Sequence, residues 1–318
     1  MKYYLAPMEG VTGYIFRKTQ HKFFPAADKY FTPFINPHTT RELNTREKKE
    51  ILPENNEGMY TVPQILTNKA EDFVRVAKVL QEYGYQEVNL NLGCPSGTVV
   101  SKKKGAGFLE YPFQIDAFLD QVFTELDMKI SVKTRLGMFE ADEFDQLLSV
   151  YNKYPLHELI IHPRVRTDYY KGKVDLDTFQ KALENSKNPV CYNGDIFTKE
   201  DYEIWTERFP EVEAVMIGRG MVANPCLMGE LRQGEGIKKE QLREFHDKLL
   251  EEYVALQIGD RNVLFKMKEL WHYWIGMFED TKKLEKQIKK AQNVENYKAA
   301  VNTLFQQREI AEHAGYKK

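Results

Sequence analysis

Short apolar runs rich in β-branched and aromatic residues recur along the chain up to residue 217, each bounded by polar residues or glycine. Runs of this kind are typical of buried strands. The candidate strands are residues 3–6, 28–31, 61–66, 87–91, 129–133, 158–162, 190–193 and 214–217. Helical periodicity fills most intervals, at residues 69–83, 114–126, 143–153, 175–185 and 199–209. Strands that alternate with helices are parallel, and eight such units predict a closed (β/α)8 TIM barrel.

Two stretches depart from this alternation. Residues 33–56 are longer than an ordinary loop and rich in polar residues, which predicts a lid or a short extra helix. From residue 238 onward strand-like runs are missing, and apolar residues recur at helical spacing. We therefore expect a barrel domain over residues 1–233 and a C-terminal helical domain of three or four helices over residues 238–318. Gly234 and Gly236 mark the linker.

Composition narrows the class of protein. An apolar share of 42% in 318 residues can form a large core, and 29% charged residues indicate a soluble surface. No apolar run approaches the ~18 residues of a membrane span, and the first residues show no signal-peptide cleavage region. Cys94, Cys191 and Cys226 share no CxxC spacing, so neither disulfides nor a zinc site is expected. We expect a cytoplasmic protein that neither associates with a membrane nor contains a metal ion.

The net charge of -2 looks unsuited to an RNA partner, but phosphate contacts require clustered cations and not a basic total. One cluster is Lys102, Lys103 and Lys104, in a predicted loop. The other is in a short C-terminal helical stretch, at Lys282, Lys283, Lys286, Lys289 and Lys290. A solvated helix face remains an alternative explanation for the C-terminal cluster.

Reactive residues and glycines lie at or just beyond the ends of the predicted strands. Barrel enzymes place their active residues at the carboxyl ends of strands. The reactive residues include Glu9, Gln64, Asn91, Lys133, Arg135, His162, Asn193 and Arg219. After the last two strands come Asn193-Gly194-Asp195 and Gly218-Arg219-Gly220, which together predict a phosphate site; each alone is usually a turn. Lys133 is suited to stabilising an anion, although isolated lysines often extend to the rim. Gln64 and Asn91 are suited to a heterocycle edge, or to tying strands together.

Cys94 lies between Gly93 and Pro95 in a glycine-rich segment, which favours a mobile, exposed loop over a core position. Free cysteines are usually buried small hydrophobes, and we assign Cys191 and Cys226 to packing on that basis. A thiol that is mostly protonated at neutral pH can donate a proton to a carbanion. Cys94 is therefore the candidate general acid.

These motifs occur together in one known family. Residues 6–12 (APMEGVT), 89–96 (NLNLGCPS), 133–135 (KTR), 162–166 (HPRVR), 193–195 (NGD) and 218–220 (GRG) resemble the dihydrouridine synthases. The resemblance runs in order from residue 3 to about residue 225, and the NLGCPS block is specific to few other families. It implies a TIM barrel that carries FMN, a helical domain that helps to grip tRNA, and a monomer. Gly13 and Cys226 depart from the family pattern.

The resemblance also implies residue roles. Cys94 would protonate C5 of a uracil after hydride passes from reduced FMN to C6, with NADPH as the reductant. Asn91, Arg135 and Arg166 would lie at the target nucleotide. Because Lys102, Lys103 and Lys104 are in the loop that also carries Cys94, we further hypothesise that they meet the RNA backbone beside the reacting base. The implied cofactor contacts are Pro7, Met8, Glu9, Gln64, Lys133, His162, Asn193, Gly194, Asp195, Gly218 and Arg219.

Three other functions stay open at this point: reduction of uridine in ribosomal RNA, reduction of a free pyrimidine by an enzyme of the dihydroorotate or dihydropyrimidine type, and RNA binding without catalysis. The helical region argues against a free pyrimidine, which needs no second domain to hold it. Cys94 and Lys133 argue against a noncatalytic protein. A uridine in folded RNA would have to be extruded from its stack to reach the barrel mouth.

Overall fold

The computed structural model describes residues 1–39 and 42–311. The chain divides into two compact units. The first comprises Met1–Pro7, Lys29–Gly194 and Phe209–Met216, and the second comprises Met8–Asp28, Asp195–Arg208 and the chain from Ile217 onward. The segment after the first strand therefore belongs to the same unit as the C-terminal helices. The proposed boundary at residues 233–238 stays a prediction.

The strands form one parallel sheet. They are β1 (Lys2–Leu5), β2 (Lys29–Phe31), β3 (Thr61–Val62), β4 (Gln64–Ile65), β5 (Glu87–Leu92), β6 (Lys129–Gly137), β7 (Glu158–Val165), β8 (Val190–Tyr192) and β9 (Ala214–Ile217). Their order is β3-β2-β1-β9-β8-β7-β6-β5-β4. β3 pairs with β2, and β4 pairs with β5. β3 and β4 are halves of one strand interrupted at Pro63, which has no N–H to donate. The two ends of the sheet therefore meet, and the predicted barrel of eight strands is confirmed.

Helices follow most strands. In chain order they are α1 (Tyr14–Phe23), α2 (Thr45–Ile51), α3 (Ala70–Glu82), α4 (Gly97–Val100), α5 (Pro112–Glu125), α6 (Glu143–Tyr151), α7 (Leu176–Asn185), α8 (Lys199–Arg208), α9 (Arg219–Ala223), α10 (Leu227–Gln233), α11 (Lys239–Ala255), α12 (Asp260–Trp274), α13 (Lys282–Lys290) and α14 (Val294–Gln307). Short 3-10 turns lie at Pro53–Asn55, Gly105–Phe108, Arg166–Asp168 and Ile275–Met277. The five predicted helices are confirmed within two residues of their bounds, and α11 to α14 confirm the helical C-terminal region.

The long interval after β2 contains the predicted extra helix, α2. Its first turn is closed by a reciprocal cap: Glu47 N donates to Asn44 Oδ1 at 2.9 Å, and Asn44 N donates to a Glu47 carboxylate oxygen at 2.8 Å. The same carboxylate accepts from Asn36 N at 3.1 Å. These bonds hold the start of α2 against the segment before it, because the buried Glu47 carboxylate accepts from the amides of both Asn36 and Asn44. Residues 40 and 41 of the predicted lid, and 312–318 of the predicted helical domain, lie outside the described residues.

The barrel interior is apolar in its middle and charged at its amino-terminal end. Phe31, Ile160 and Cys191 are fully buried in one core cluster. Below them Lys29 Nζ lies 3.0 Å from Glu87 and 3.4 Å from Glu158. Burial raises the pKa of Glu158, and the Lys29 ammonium opposes this shift. The barrel interior is therefore a packed core. A ligand site can form from polar groups at the carboxyl ends of the strands.

The second unit has an aromatic core with a directed hydrogen-bond chain. Trp271 Nε1 donates to the Tyr297 hydroxyl at 2.7 Å, and this hydroxyl lies 2.7 Å from His246 Nε2. His246 Nδ1 lies 2.8 Å from an Asp247 carboxylate oxygen. An indole can only donate and a carboxylate can only accept, so Tyr297 donates to His246, whose proton resides on Nδ1. Within the described residues, the helices are all too short or too polar to cross a membrane.

Candidate active site

The carboxyl ends of β4 and β5 are joined by a ladder of buried amides. Gln64 Nε2 donates to Asn89 Oδ1 at 2.8 Å, and Asn91 Nδ2 donates to Gln64 Oε1 at 2.7 Å. Asn89 Nδ2 donates to Ser131 Oγ at 2.9 Å, which extends the ladder to β6. Because each amide meets one defined donor and one defined acceptor, the orientations of all three amides are fixed. Gln64 and Asn91 therefore tie strands together.

The top of this ladder holds the loop that carries Cys94. Asn91 Oδ1 accepts from the backbone amides of Gly93 and Cys94, both at 3.0 Å. On the other side, Ala106 N donates to the carbonyl of Cys94 at 3.0 Å. Cys94 is half-buried, whereas the sequence favoured a mobile, exposed loop. The difference arises because hydrogen bonds from two separate segments fasten the residue's backbone.

Glycine is required where this loop meets the turn that follows it. Gly105 has a φ of +56°, and a Cβ there would approach the carbonyl oxygen of Cys94 to 2.9 Å. A side chain at Gly107 would lie 2.8 Å from the backbone of Val100. Such contacts are closer than real Cβ atoms adopt, so the glycines allow the two segments to pack and keep Cys94 in place.

Lys133 lies on β6, where it is the register partner of Asn91 on β5, the strand that leads into the Cys94 loop. Its Nζ is close enough to Cys94, Cys191 and Arg135 for their charges to influence it. Burial, and to a smaller extent the nearby Arg135 guanidinium, lower the pKa of Lys133 to about 7. Within residues 1–39 and 42–311, no side chain or carbonyl hydrogen-bonds to the ammonium. A buried lysine with a strongly lowered pKa and no partner is typical of a site that binds an anionic or electron-rich ligand.

The strand ends of β6 and β7 are joined through an aromatic ring that the sequence interpretation missed. Arg135 stacks on Tyr170, with 5.3 Å from its Cζ to the ring centroid, and His162 stacks on the same ring at 6.1 Å. Arg135 also donates to the carbonyl of Gly93 at 2.9 Å, which links it to the Cys94 loop. The sequence signal for this ring was the pair Tyr169-Tyr170, which stands in an otherwise polar loop after a strand.

Buried Arg164 holds the loop that carries this ring. It donates to the carbonyls of Lys171 and Gly172 at 3.1 and 2.6 Å. It also lies 3.1 Å from His162 Nε2. A guanidinium has no acceptor, so His162 accepts through Nε2 and carries its proton on Nδ1. Arg164 thus sets both the loop and the tautomer.

The end of β8 is shaped by close packing. Asn193 Nδ2 donates to the carbonyl of Met216 at 2.8 Å, which joins β8 to β9. A Cβ on Gly194 would lie 2.0 Å from the Tyr192 hydroxyl. The glycine is therefore required by a buried phenol. The phosphate site that the sequence predicts at Gly194 remains a prediction.

The other predicted cofactor residues, except Pro7, belong to the second unit. Met8 and Glu9 lie in the turn before α1, and Gly218 immediately precedes α9. Arg219 donates to Asp195 Oδ1 at 2.7 Å. The sequence predicted Arg219 as part of a phosphate site. In the structure the Asp195 carboxylate balances the charge of Arg219. Pro7 ends the first segment of the barrel unit and is half-buried.

The predicted RNA contacts fall in two places. Lys102, Lys103 and Lys104 form the turn after α4, and Lys103 Nζ lies 4.6 Å from the ring centroid of Tyr111. Burial lowers the pKa of Lys104, the Asp72 carboxylate opposes this shift, and the charges of Lys102 and Lys69 add to it. Arg166 stacks on Tyr169 at 4.8 Å. Among the described residues, no group of three or more His, Cys, Asp or Glu could hold a metal ion.

Comparisons with known proteins identify the family. The family model described as dihydrouridine synthase (Dus) matches residues 4–314. tRNA-dihydrouridine synthase B of Pasteurella multocida (strain Pm70) is 26% identical over 226 residues, which are 70% of this chain and 67% of that protein. A probable tRNA-dihydrouridine synthase of Staphylococcus aureus (strain COL) is 28% identical over 312 residues, 94% of this chain and 91% of that protein. The solved structure of morphinone reductase has a TM-score of 0.52 at 13% identity over 74% of this chain and 86% of that chain, a likeness of fold alone. Because the family model covers nearly the whole sequence, the chain belongs to the dihydrouridine synthase family.

Proposed function

We propose that the protein is an FMN-dependent tRNA-dihydrouridine synthase that reduces the C5–C6 double bond of specific uridines in tRNA. Family membership supports an oxidoreductase, and the relatives are named for action on tRNA. The observation that carries the proposal is the position of Cys94, whose backbone is held by Asn91, while the unpaired Lys133 is the register partner of Asn91 on the neighbouring strand. Neither feature is required for a stable barrel.

The residues of the strand ends fit a flavin. A ring system with carbonyls and an ionisable N–H needs donors and a cation at one edge, and Lys133 is an ammonium without a partner among the described residues. Gln64, His162 and Asn193 add polar atoms at neighbouring strand ends. Together with Pro7, Met8, Glu9, Gly194, Asp195, Gly218 and Arg219 they are the residues that would hold FMN. When bound, FMN would supply the hydride for C6, and NADPH would replenish its electrons.

The protein's own contribution is to deliver a proton and to hold the base. Cys94 Sγ would release its proton to C5 of the uracil, so the Sγ–H bond breaks as a C–H bond forms. Asn91 fixes the thiol through the loop backbone, and this geometry does not depend on substrate. Arg135, also bonded to that loop, and Arg166 would hold the target nucleotide. A rigid proton donor is effective because the reacting atoms must approach within contact distance.

RNA binding would rest on the two lysine clusters. Lys102, Lys103 and Lys104 would neutralise phosphates beside the extruded base, and the lysines of α13 would do so elsewhere in the helical region. Replacing Lys102, Lys103 and Lys104 with alanine should weaken tRNA binding and reduce its salt dependence by about one unit of slope per lost contact. FMN absorbance should not change. Unchanged RNA affinity at all salt concentrations would refute this assignment.

The decisive experiment compares two cysteine variants on unmodified tRNA transcripts. Cys94→Ala should retain FMN absorbance but form no dihydrouridine, because it lacks the proton donor. Cys226→Ala is the matched control, since Cys226 is assigned to packing, and it should remain active. Ribosomal RNA fragments, uracil and orotate are tested in parallel. Turnover of a free pyrimidine in preference to tRNA, or full activity of Cys94→Ala, would overturn the proposal.

A further inference from the structure

Helix α12 of the C-terminal region donates hydrogen bonds to two segments that the proposed function assigns to the cofactor. Lys266 Nζ donates to the carbonyl of Gly10 at 2.7 Å. Gly10 directly follows Met8 and Glu9. Two turns later, Trp274 Nε1 donates to the carbonyl of Val222 at 2.7 Å, and Val222 lies in α9, which begins at Arg219. All of these residues belong to the second compact unit.

The turn that Lys266 contacts is well defined. The amides of Val11 and Thr12 both donate to the carbonyl of Met8 at 3.0 Å, and Met8 N donates to Thr12 Oγ1 at 2.7 Å. Gly10 has a φ of +81°, a conformation that side-chain-bearing residues rarely adopt. These bonds close the turn on itself. The bond from Lys266 attaches it to the helical region, and a charged donor makes this attachment stronger than a neutral one.

The far end of the same segment is fastened by aromatic packing. The rings of Phe16, Phe23 and Phe24 lie 5.6 to 6.0 Å from the ring of Phe245 on α11. Helix α1 is therefore held by α11. At the near end, where Met8 and Glu9 lie, Arg17 of α1 donates to the carbonyl of Thr12 at 3.0 Å, and Lys266 supplies the bond from α12. Its removal should loosen the turn while α1 stays packed.

We propose that Lys266 is a positioning residue for the cofactor: it holds the turn of residues 8–12 in the conformation that receives FMN. The inference rests on the proposed function, because it takes Met8 and Glu9 as FMN contacts. It assigns the helical region a role in cofactor binding in addition to any role in RNA binding. A helix that supports both the turn and α9 also makes FMN affinity sensitive to changes in the helical region.

The test uses Lys266→Gln, the conservative Lys266→Arg, and Lys268→Gln as a matched control on the same helix. Lys268 Nζ donates to the carbonyl of Ala291 at 2.5 Å and so supports a different segment. The first measurement is hydrogen exchange of the FMN-free protein in peptides that contain Val11 and Thr12. The second is the Kd for FMN, from quenching of flavin fluorescence. Neither measurement requires turnover.

Lys266→Gln should exchange faster in this peptide and bind FMN about tenfold more weakly, the effect of losing one charge-assisted hydrogen bond of about 1.4 kcal/mol. Lys266→Arg should restore most of both properties, and Lys268→Gln should match the wild type in both. Wild-type exchange and wild-type FMN affinity in Lys266→Gln would overturn the inference while leaving the proposed function intact. A wild-type protein that binds no FMN would instead overturn the proposed function, and the cofactor role of Lys266 with it.

Discussion

Replacing Tyr297 with phenylalanine removes one oxygen atom from the core of the second unit. Tyr297 has no exposed surface, and its hydroxyl accepts from Trp271 and donates to His246. The ring and its packing are retained, so no large cavity forms. Two buried polar atoms, Trp271 Nε1 and His246 Nε2, lose their shared partner.

The cost follows from those two atoms. A buried donor or acceptor left without a partner costs about 1–3 kcal/mol, so Tyr297→Phe should lower the free energy of unfolding by roughly 2–5 kcal/mol. Urea unfolding followed by tryptophan fluorescence measures it, because Trp205, Trp271 and Trp274 are the chain's three tryptophans and all lie in the second unit. The midpoint should fall with no change in slope.

Tyr83→Phe is the matched control. The Tyr83 side chain is half-buried, and its hydroxyl has no hydrogen-bond partner among the described residues. Its removal should change the unfolding free energy by less than about 0.5 kcal/mol. If Tyr297→Phe were equally mild, the chain from Trp271 to Asp247 would contribute little to stability. The argument from buried, unpaired atoms would then be refuted.

Three further predictions concern a lysine, a histidine and a glycine. Burial lowers the pKa of Lys133 to about 7, so at this residue the unfolded chain binds more protons between pH 7 and 10.5, and the contribution of Lys133 to stability rises with pH there. Lys133→Met should therefore stabilise the FMN-free protein most at pH 7 and below, and lose FMN affinity; a Tm gain that does not vary with pH would contradict this. Burial also lowers the pKa of His246, so its contribution to stability is present above about pH 6.5 and is lost as the pH falls below that value. His246→Gln should reduce the loss of urea stability between pH 7.5 and 5.5, and an undiminished loss would show that other groups cause it. Gly194→Ala should lower Tm by several degrees because its Cβ would lie 2.0 Å from the Tyr192 hydroxyl, whereas Gly97→Ala, with no atom within 4 Å of its Cβ, should not; equal Tm values would be evidence against the clash.

The barrel was predictable because its signal is local. Each strand is a short apolar run buried on both faces, and each helix shows its own period, so β5 or α6 can be recognised within a dozen residues. The same pattern placed Gln64, Asn91, Lys133 and His162 on strands, but β6 and β7 continue past Lys133 and His162 to Gly137 and Val165. The motif around Cys94 then identified the family.

Contacts between distant parts of the chain were decided by the tertiary structure alone. The ion pair of Arg219 with Asp195, the stacking of Tyr170 between Arg135 and His162, and the bond from Lys266 to Gly10 join residues that share no periodicity.

The sequence alone indicated which segments become strands and helices, and which strands carry reactive residues. The tertiary structure decided how those residues are oriented, which charges are neutralised, and which helix supports the first loop. The reason is physical: secondary structure depends on neighbours within a few residues, whereas hydrogen-bond partners and burial depend on how all the elements pack together.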